Sequence, residues 1–262
     1  MAMTKLELEI TRYGYAYLEV LKQYDQKLRR IGERLPPVGE AKRKPELPIT
    51  AVRRESYVSI LGYKDDIKEL EKKKDSIGEK LGSLAQEHQL WTDFLKRVKG
   101  IGPTLAGLLI CVSGDIEMVN SVSGFWKSFG LLVGEDGKIK KMEKGQQGTI
   151  GYGPARKMRG WIRVSIFKVG SQHGGFFYDY YTKKFNRYKL ERPEWDEGHC
   201  RGAAIVKMHK IFLSLCYEVW RKARGLEFRE PYILAIEGSP HSHRIRPEDA
   251  MEMPKKPARL KK

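Results

Sequence analysis

The chain has 262 residues, with 50 lysines and arginines against 33 aspartates and glutamates and a formal charge of +17. An apolar fraction of 40% supports a real core, which excludes a chain disordered throughout. No run approaches the roughly 20 apolar residues of a membrane helix, and the N-terminus has no signal-peptide pattern, so no membrane partner is expected.

Three cysteines, Cys111, Cys200 and Cys216, have no metal-like spacing and read as free thiols in a reducing compartment. No metal or other cofactor is expected, since His241 and His243 lie in the tail and His199-Cys200 has no second pair. The charge makes a polyanion the first partner to consider, nucleic acid before membrane, and a cytoplasmic, nucleoid-associated place follows. Only Asn120 and Asn186 are asparagines, a composition that suits a thermophilic source.

From Leu6 to Leu35 the apolar residues Leu6, Ile10, Tyr13, Tyr17, Leu21, Tyr24, Leu28, Ile31 and Leu35 step by three and four, which predicts one long helix ended by Pro36-Pro37. PPVGEAKRKPELPIT reads as a connector. A second stripe, Ile67, Leu70, Lys74, Ile77, Leu81, Leu84, His88, Trp91, Leu95 and Val98, predicts a second long helix over about Glu55 to Lys99. Together they predict an antiparallel coiled-coil hairpin over residues 1–98, a stalk of the kind that commonly forms a homodimer. Beyond it a compact, mainly α domain is expected over 99–237 and a basic flexible tail over 238–262. Helices are predicted over Thr104–Val112 and Ser121–Phe129, then a loop or small β-hairpin over 131–153, then a helix from Pro154 to about Val169. GFFYDYYTKKFNRYKL predicts a helix from Tyr178, and the mostly apolar Arg201–Arg224 one central to the core.

Two places carry chemistry. In RVKGIGPTLAGLL, Gly100-Ile101-Gly102 turns between two helical segments and Pro103 opens the second. Glycines at such a turn admit close approach of a phosphate, and the amides and dipole of the following helix favour an anion. Lys96, Arg97 and Lys99 lead in, Ile101 anchors the turn, and Thr104 stands in the first helical turn. This is a helix-hairpin-helix pattern, which grips a DNA backbone without reading bases.

The second place is the stretch from Lys138 to Lys168, with nine basic residues and one acid, Glu143. Lys138, Lys140, Lys141 and Lys144 lie in the loop. On the helix after Pro154, Arg156, Arg159 and Arg163 fall within about 60° at 100° per residue, with Lys157 beside them. Phe176, Phe177, Tyr178, Tyr180 and Tyr181 have two readings, stacking on unpaired bases or filling a core.

The order FLKRVKGIGPTLAGLLICVSGDI, SGFWKSFGL, a basic glycine-rich loop, then PARKMRGWIRVSIFKV resembles the C-terminal domain of DEDD-type insertion-sequence transposases, the RNA-guided recombinases. The likeness spans about residues 90 to 235, and the first 98 residues are similar to the coiled coil that precedes that domain. It implies DNA as partner, with RNA as the alternative, and a history in DNA recombination.

The sequence departs from that family. The nuclease-like domain with metal-binding carboxylates does not precede Gly100. The loop before the arginine helix has no serine nucleophile; Thr149 is its only hydroxyl between Met142 and Gly151. Ser128 sits on the helix before, and no activating base is evident. A non-catalytic DNA-binding protein of weak sequence preference is therefore expected, with no catalytic residue assigned. The alternatives are an active recombinase subunit and an RNA-binding scaffold.

Overall fold

Steps of three and four in the first stripe become α1 (Lys5–Arg34), and the second stripe falls within α2 (Ile49–Glu87) and beyond it. The computed structural model describes residues 3–34, 49–132, 153–228 and 245–251, and only the backbone of 30–34 and 49–64. Most of the expected connector, nearly all of the expected 131–153 hairpin and most of the tail lie outside the described residues. Among the described residues the secondary structure is helical, with no strand, and no helix is long and apolar enough to cross a membrane.

The first two helices run antiparallel. Glu7 meets His88, Tyr17 lies against Gly78, Tyr24 donates to Glu71 at 3.0 Å and Lys27 pairs with Asp66. Burial rises toward the end nearer the rest of the molecule, from Leu28 at 42% exposed to Ile10 and Leu81 at 0%.

The second helix stops before His88, not at Lys99 as its spacing predicts. His88 takes extended angles (φ −80°, ψ 138°), and its Nδ1 accepts the Leu90 amide at 3.1 Å. Its other nitrogen, Nε2, therefore carries the proton and donates to Glu7 at 3.3 Å, while the ring stands edge-on to Trp220 at 5.2 Å. A tertiary partner 81 residues away thus overrides the heptad register. Past His88 the chain forms the short α3 (Gln89–Asp93) and a 3-10 turn over Leu95–Arg97.

α4 (Pro103–Ser113) starts with proline at its first position, as its sequence predicts. It is buried from Ala106 to Ser113 because it crosses the α1–α2 pair at glycines. A Cβ on Gly14 would lie 2.4 Å from Cys111 Sγ, and one on Gly107 would lie 2.7 Å from Leu81 Cγ. α5 (Val122–Ser128) is capped by Ser121, whose hydroxyl accepts the Gly124 amide.

α6 (Gly153–His173) and α7 (Phe176–Glu191) are joined by a tight turn at Gly174-Gly175. α8 (Glu197–Ala223), capped by Asp196, is buried along its second half, with Met208, Phe212, Leu215 and Trp220 inside. A last turn, α9 (Pro247–Ala250), packs on α7. Ile10, Leu81, Leu109, Ile162 and Phe212 belong to one apolar cluster. The boundary expected at residue 98 therefore does not coincide with a break in the packing.

The joint between α1 and the rest is polar at its centre. Glu7, 3% exposed, accepts from the Thr4 amide (2.7 Å) and hydroxyl (2.9 Å), His88, Trp220 Nε1 (3.1 Å) and Arg224 Nη1 (3.0 Å). Burial pushes the carboxyl up, but the hydrogen bonds from His88, Thr4 and Trp220 outweigh it and hold its pKa at about 2, from an ordinary 4.5.

A carboxylate depressed in the fold contributes stability above its unfolded pKa and loses it as pH falls. Urea unfolding should show roughly 3 kcal/mol from Glu7 at pH 6, fading from about pH 4.5 toward pH 2. Glu7→Gln should lose that amount at pH 6 and converge on the parent protein near pH 2; a gap between the two that stays constant with pH would refute the assignment.

Candidate nucleic-acid interface

The glycine bend is built differently from a freestanding phosphate clamp. Val98 and Ile101 close successive turns, with the Ile101 amide donating to the Val98 carbonyl at 3.2 Å, and Ile101 is buried. Gly100 has φ +88°, and a Cβ there would lie 2.8 Å from Ile166 Cα and 2.9 Å from the Ser165 carbonyl oxygen. Ser165 also donates its hydroxyl to the Gly100 carbonyl. This glycine is required by backbone-to-backbone contact with α6.

Gly102 is exposed, with ordinary angles (φ −89°, ψ 167°) and nothing within 4 Å of a Cβ. Thr104 does not face outward: its hydroxyl donates to the Gly78 carbonyl of α2 at 3.1 Å. Lys99 Nζ donates to the His173 carbonyl at 2.9 Å, on the last turn of α6. Lys96 and Arg97 are exposed on the 3-10 turn, where the sequence predicts a regular helix over Leu90–Lys99. The bend thus holds α6 against the segment that opens α4, and one exposed amide position, Gly102, remains of the expected clamp.

The arginine row lies on that same α6. Its buried arc is Ala155, Met158, Ile162, Ile166 and Gly170, and the arginines stand along one edge of it. Arg156, Lys157 and Arg163 are exposed, and Arg159 is half-buried. Lys138, Lys140, Lys141, Lys144 and Thr149 lie outside the described residues.

The turn after α5 completes the site. Gly130 (φ +69°) donates to the Lys127 carbonyl and Leu131 to the Trp126 carbonyl, a Schellman stop with Leu131 buried. A Cβ on Gly130 would lie 3.1 Å from Arg156 Cγ and 3.6 Å from Arg159 Nη2. The step SFGL therefore makes the floor on which both arginines rest. Ser128 in this step donates its hydroxyl to the Phe125 carbonyl at 2.7 Å.

Burial, and the Arg156 charge beside it, lower the pKa of Arg159, and its Nε is buried without a hydrogen-bond partner. Beneath it, His209 donates from Nε2 to the Arg159 carbonyl at 2.9 Å. Burial, then the Arg159 charge, push His209 to about 4, so it is neutral at pH 7 and adds no charge to the cluster. Among the described residues, no carboxylate pairs with Arg156, Lys157, Arg159 or Arg163.

Periodicity alone brings out the row; the floor at Gly130 and the neutral histidine below it do not follow from spacing. The glycine after SF is a visible stop signal for α5, whereas His209 has no local signal. Among the described residues, no three His, Cys, Asp or Glu side chains are placed to hold a metal ion. Cys111 is pushed up to about 12 by burial, so its thiol is inert at neutral pH.

The two glycines of the bend should respond oppositely to alanine. Gly100→Ala should destabilise by about 2–4 kcal/mol, since positive φ and a backbone clash combine. Gly102→Ala should cost under about 1 kcal/mol. Chemical denaturation of both variants measures this, and equal losses would contradict the packing given to Gly100. No protein-family model matches the chain, and no curated protein does either.

Proposed function

We propose that the chain is a non-catalytic nucleic-acid-binding protein that holds the phosphate backbone of DNA on the arginine row of α6. One observation carries this reading: Arg156 and Arg159 are held side by side on the Gly130 turn, one of them half-buried, and among the described residues no carboxylate pairs with either. Two like charges held side by side, one of them partly withdrawn from water, are unfavourable unless an anion arrives. A phosphate oxygen supplies that charge and accepts from the planar guanidinium groups in pairs.

The opening turn of α6 adds its dipole to the same place. Lys157 and Arg163 extend the grip along the helix. Lys96, Arg97 and the Gly102 amide form a second point of contact in this proposal, held to α6 through Gly100. Grip on phosphates reads no bases, so weak sequence preference follows.

The likeness to the C-terminal domain of insertion-sequence transposases supports a recombination ancestry with the DNA grip kept. The α1–α2 pair is, in this proposal, the base of an antiparallel coiled-coil arm through which two copies join. Its antiparallel pairing and the half-exposed apolar residues toward its far end support that.

Fluorescence anisotropy with a labelled duplex tests the proposal. Log affinity should fall with log salt by roughly 0.9 for each phosphate held. Arg156→Ala should lower the slope by about one and weaken binding similarly across unrelated sequences. Arg156→Ala with Arg159→Ala should lower it by about two. A flat salt response, or a double variant that binds like the parent, would sink the proposal.

A further inference from the structure

The α5 turn that carries the arginines also meets α8. Gly130, on which Arg156 and Arg159 rest, follows Trp126 by four residues, and the Leu131 amide donates to the Trp126 carbonyl at 2.9 Å. Trp126 Nε1 in turn donates to the Lys210 carbonyl of α8 at 3.2 Å. One residue earlier on α8, His209 donates to the Arg159 carbonyl. Two separate ties thus bring Lys210 to the arginine row, one through the α5 turn and one through α6 itself.

Lys210 is 8% exposed, with its Nζ 4.7 Å from the centre of the Trp126 ring. The ring face attracts the charge but offers no lone pair to its three N–H donors. Among the described residues no carboxylate, carbonyl or hydroxyl takes them. Burial, then the charge of Lys207, lower the pKa of Lys210, as they do for an ammonium without a counter-charge. Lys127 stands on the last turn of α5, and its carbonyl accepts the Gly130 amide at 2.9 Å. Its side chain is half-exposed, and no carboxylate among the described residues pairs with it.

Packing does not call for the Lys210 charge. A methionine would cover Trp126 with a similar stem and bury no ammonium. A lysine stem laid on an indole, its charged end left without an acid, fits an anion that arrives from outside. Lys127 by itself would also suit the end of a helix, so Lys210 carries the argument. The step from Gly130 to Trp126 is on the order of 6 Å, one turn at 1.5 Å per residue. A cation at that remove suits the neighbouring phosphate of a strand whose first phosphate lies on the guanidinium pair.

We infer that Lys210 and Lys127 continue the phosphate site from α6 across the α5 turn onto α8, so that two neighbouring phosphates of one strand are held together. This rests on the nucleic-acid reading above and adds two binding residues that neither the glycine bend nor the arginine row contains.

Anisotropy with a labelled duplex over a salt series tests it. Lys210→Met keeps the stem on Trp126 and removes the charge. It should lower the slope of log affinity against log salt by about one, and Arg156→Ala with Lys210→Met by about two. Lys127→Gln should also lower it by about one. Lys80→Gln, on the exposed face of α2, is the control and should leave the slope unchanged. In urea, Lys210→Met should unfold at the same concentration as the parent or higher, which shows that it folded.

A folded Lys210→Met with the slope of the parent would assign Lys210 to packing and overturn the inference. So would a control that lowers the slope as much as Lys210→Met, since any surface charge would then count equally. Should Lys210→Met fail to fold, an unchanged slope in Lys127→Gln overturns the extension. In each case a lowered slope in Arg156→Ala leaves the arginine grip standing, whereas a flat salt response of the parent removes the nucleic-acid reading itself.

Discussion

Backbone against backbone at Gly100 is the contact on which the proposed site depends. A residue with positive φ lets the turn before α4 come within touching distance of Ser165 and Ile166, where a methyl group would not fit. The Ser165 hydroxyl and Lys99 tie the same two segments at the middle and the end of α6. α6 is therefore registered along its length against α4, which is itself buried against α1 and α2. Arginines on a helix so fixed lose little further freedom when an anion binds, and a preorganised guanidinium pair binds better than a mobile one.

Local chemistry was legible where it acts alone. Pro103 and Pro154 mark the starts of α4 and α6 to within a residue, and Ser121 caps α5 where the predicted helix begins. The apolar run of α8 announced its burial. Where a distant partner decides, the pattern misled. His88, Trp91, Leu95 and Val98 keep helical spacing, yet the helix ends at His88 because Glu7 and Trp220 claim its ring. A glycine–apolar–glycine turn reads the same whether a phosphate or another helix approaches it. The second explanation holds for Gly100, and Thr104 is turned to α2 for a similar reason. The arginine row could be placed by angle, but its half-burial depends on the α5 turn and α8, which no spacing within α6 contains.

The aromatic run shows the same limit from the other side. Helical spacing cannot say which of several adjacent rings a single neighbouring helix will cover. Phe177 fills that role against Phe212, and the packing of Tyr178 on Gly170 uses a second ring. Phe176, Tyr180 and Tyr181 stay partly buried against the same apolar cluster, Tyr181 on Phe167 at 4.5 Å.

The strongest support for a functional reading comes from comparing two sets of arginines in one fold. At the C-terminal end of α8, Arg224 reaches Glu7 and Glu117, and Arg221 donates to the carbonyls of Ile116, Val119 and Glu227. Those charges are satisfied from within, as partly buried guanidinium groups in a stable core must be. On α6, Arg159 is half-buried beside Arg156 over a histidine that burial keeps neutral, with no carboxylate beside them among the described residues. A leucine or glutamine would seal the Gly130 turn without bringing two positive charges together. Folding alone therefore gives no reason for a second arginine there, whereas a polyanion in reach of a chain with charge +17 does.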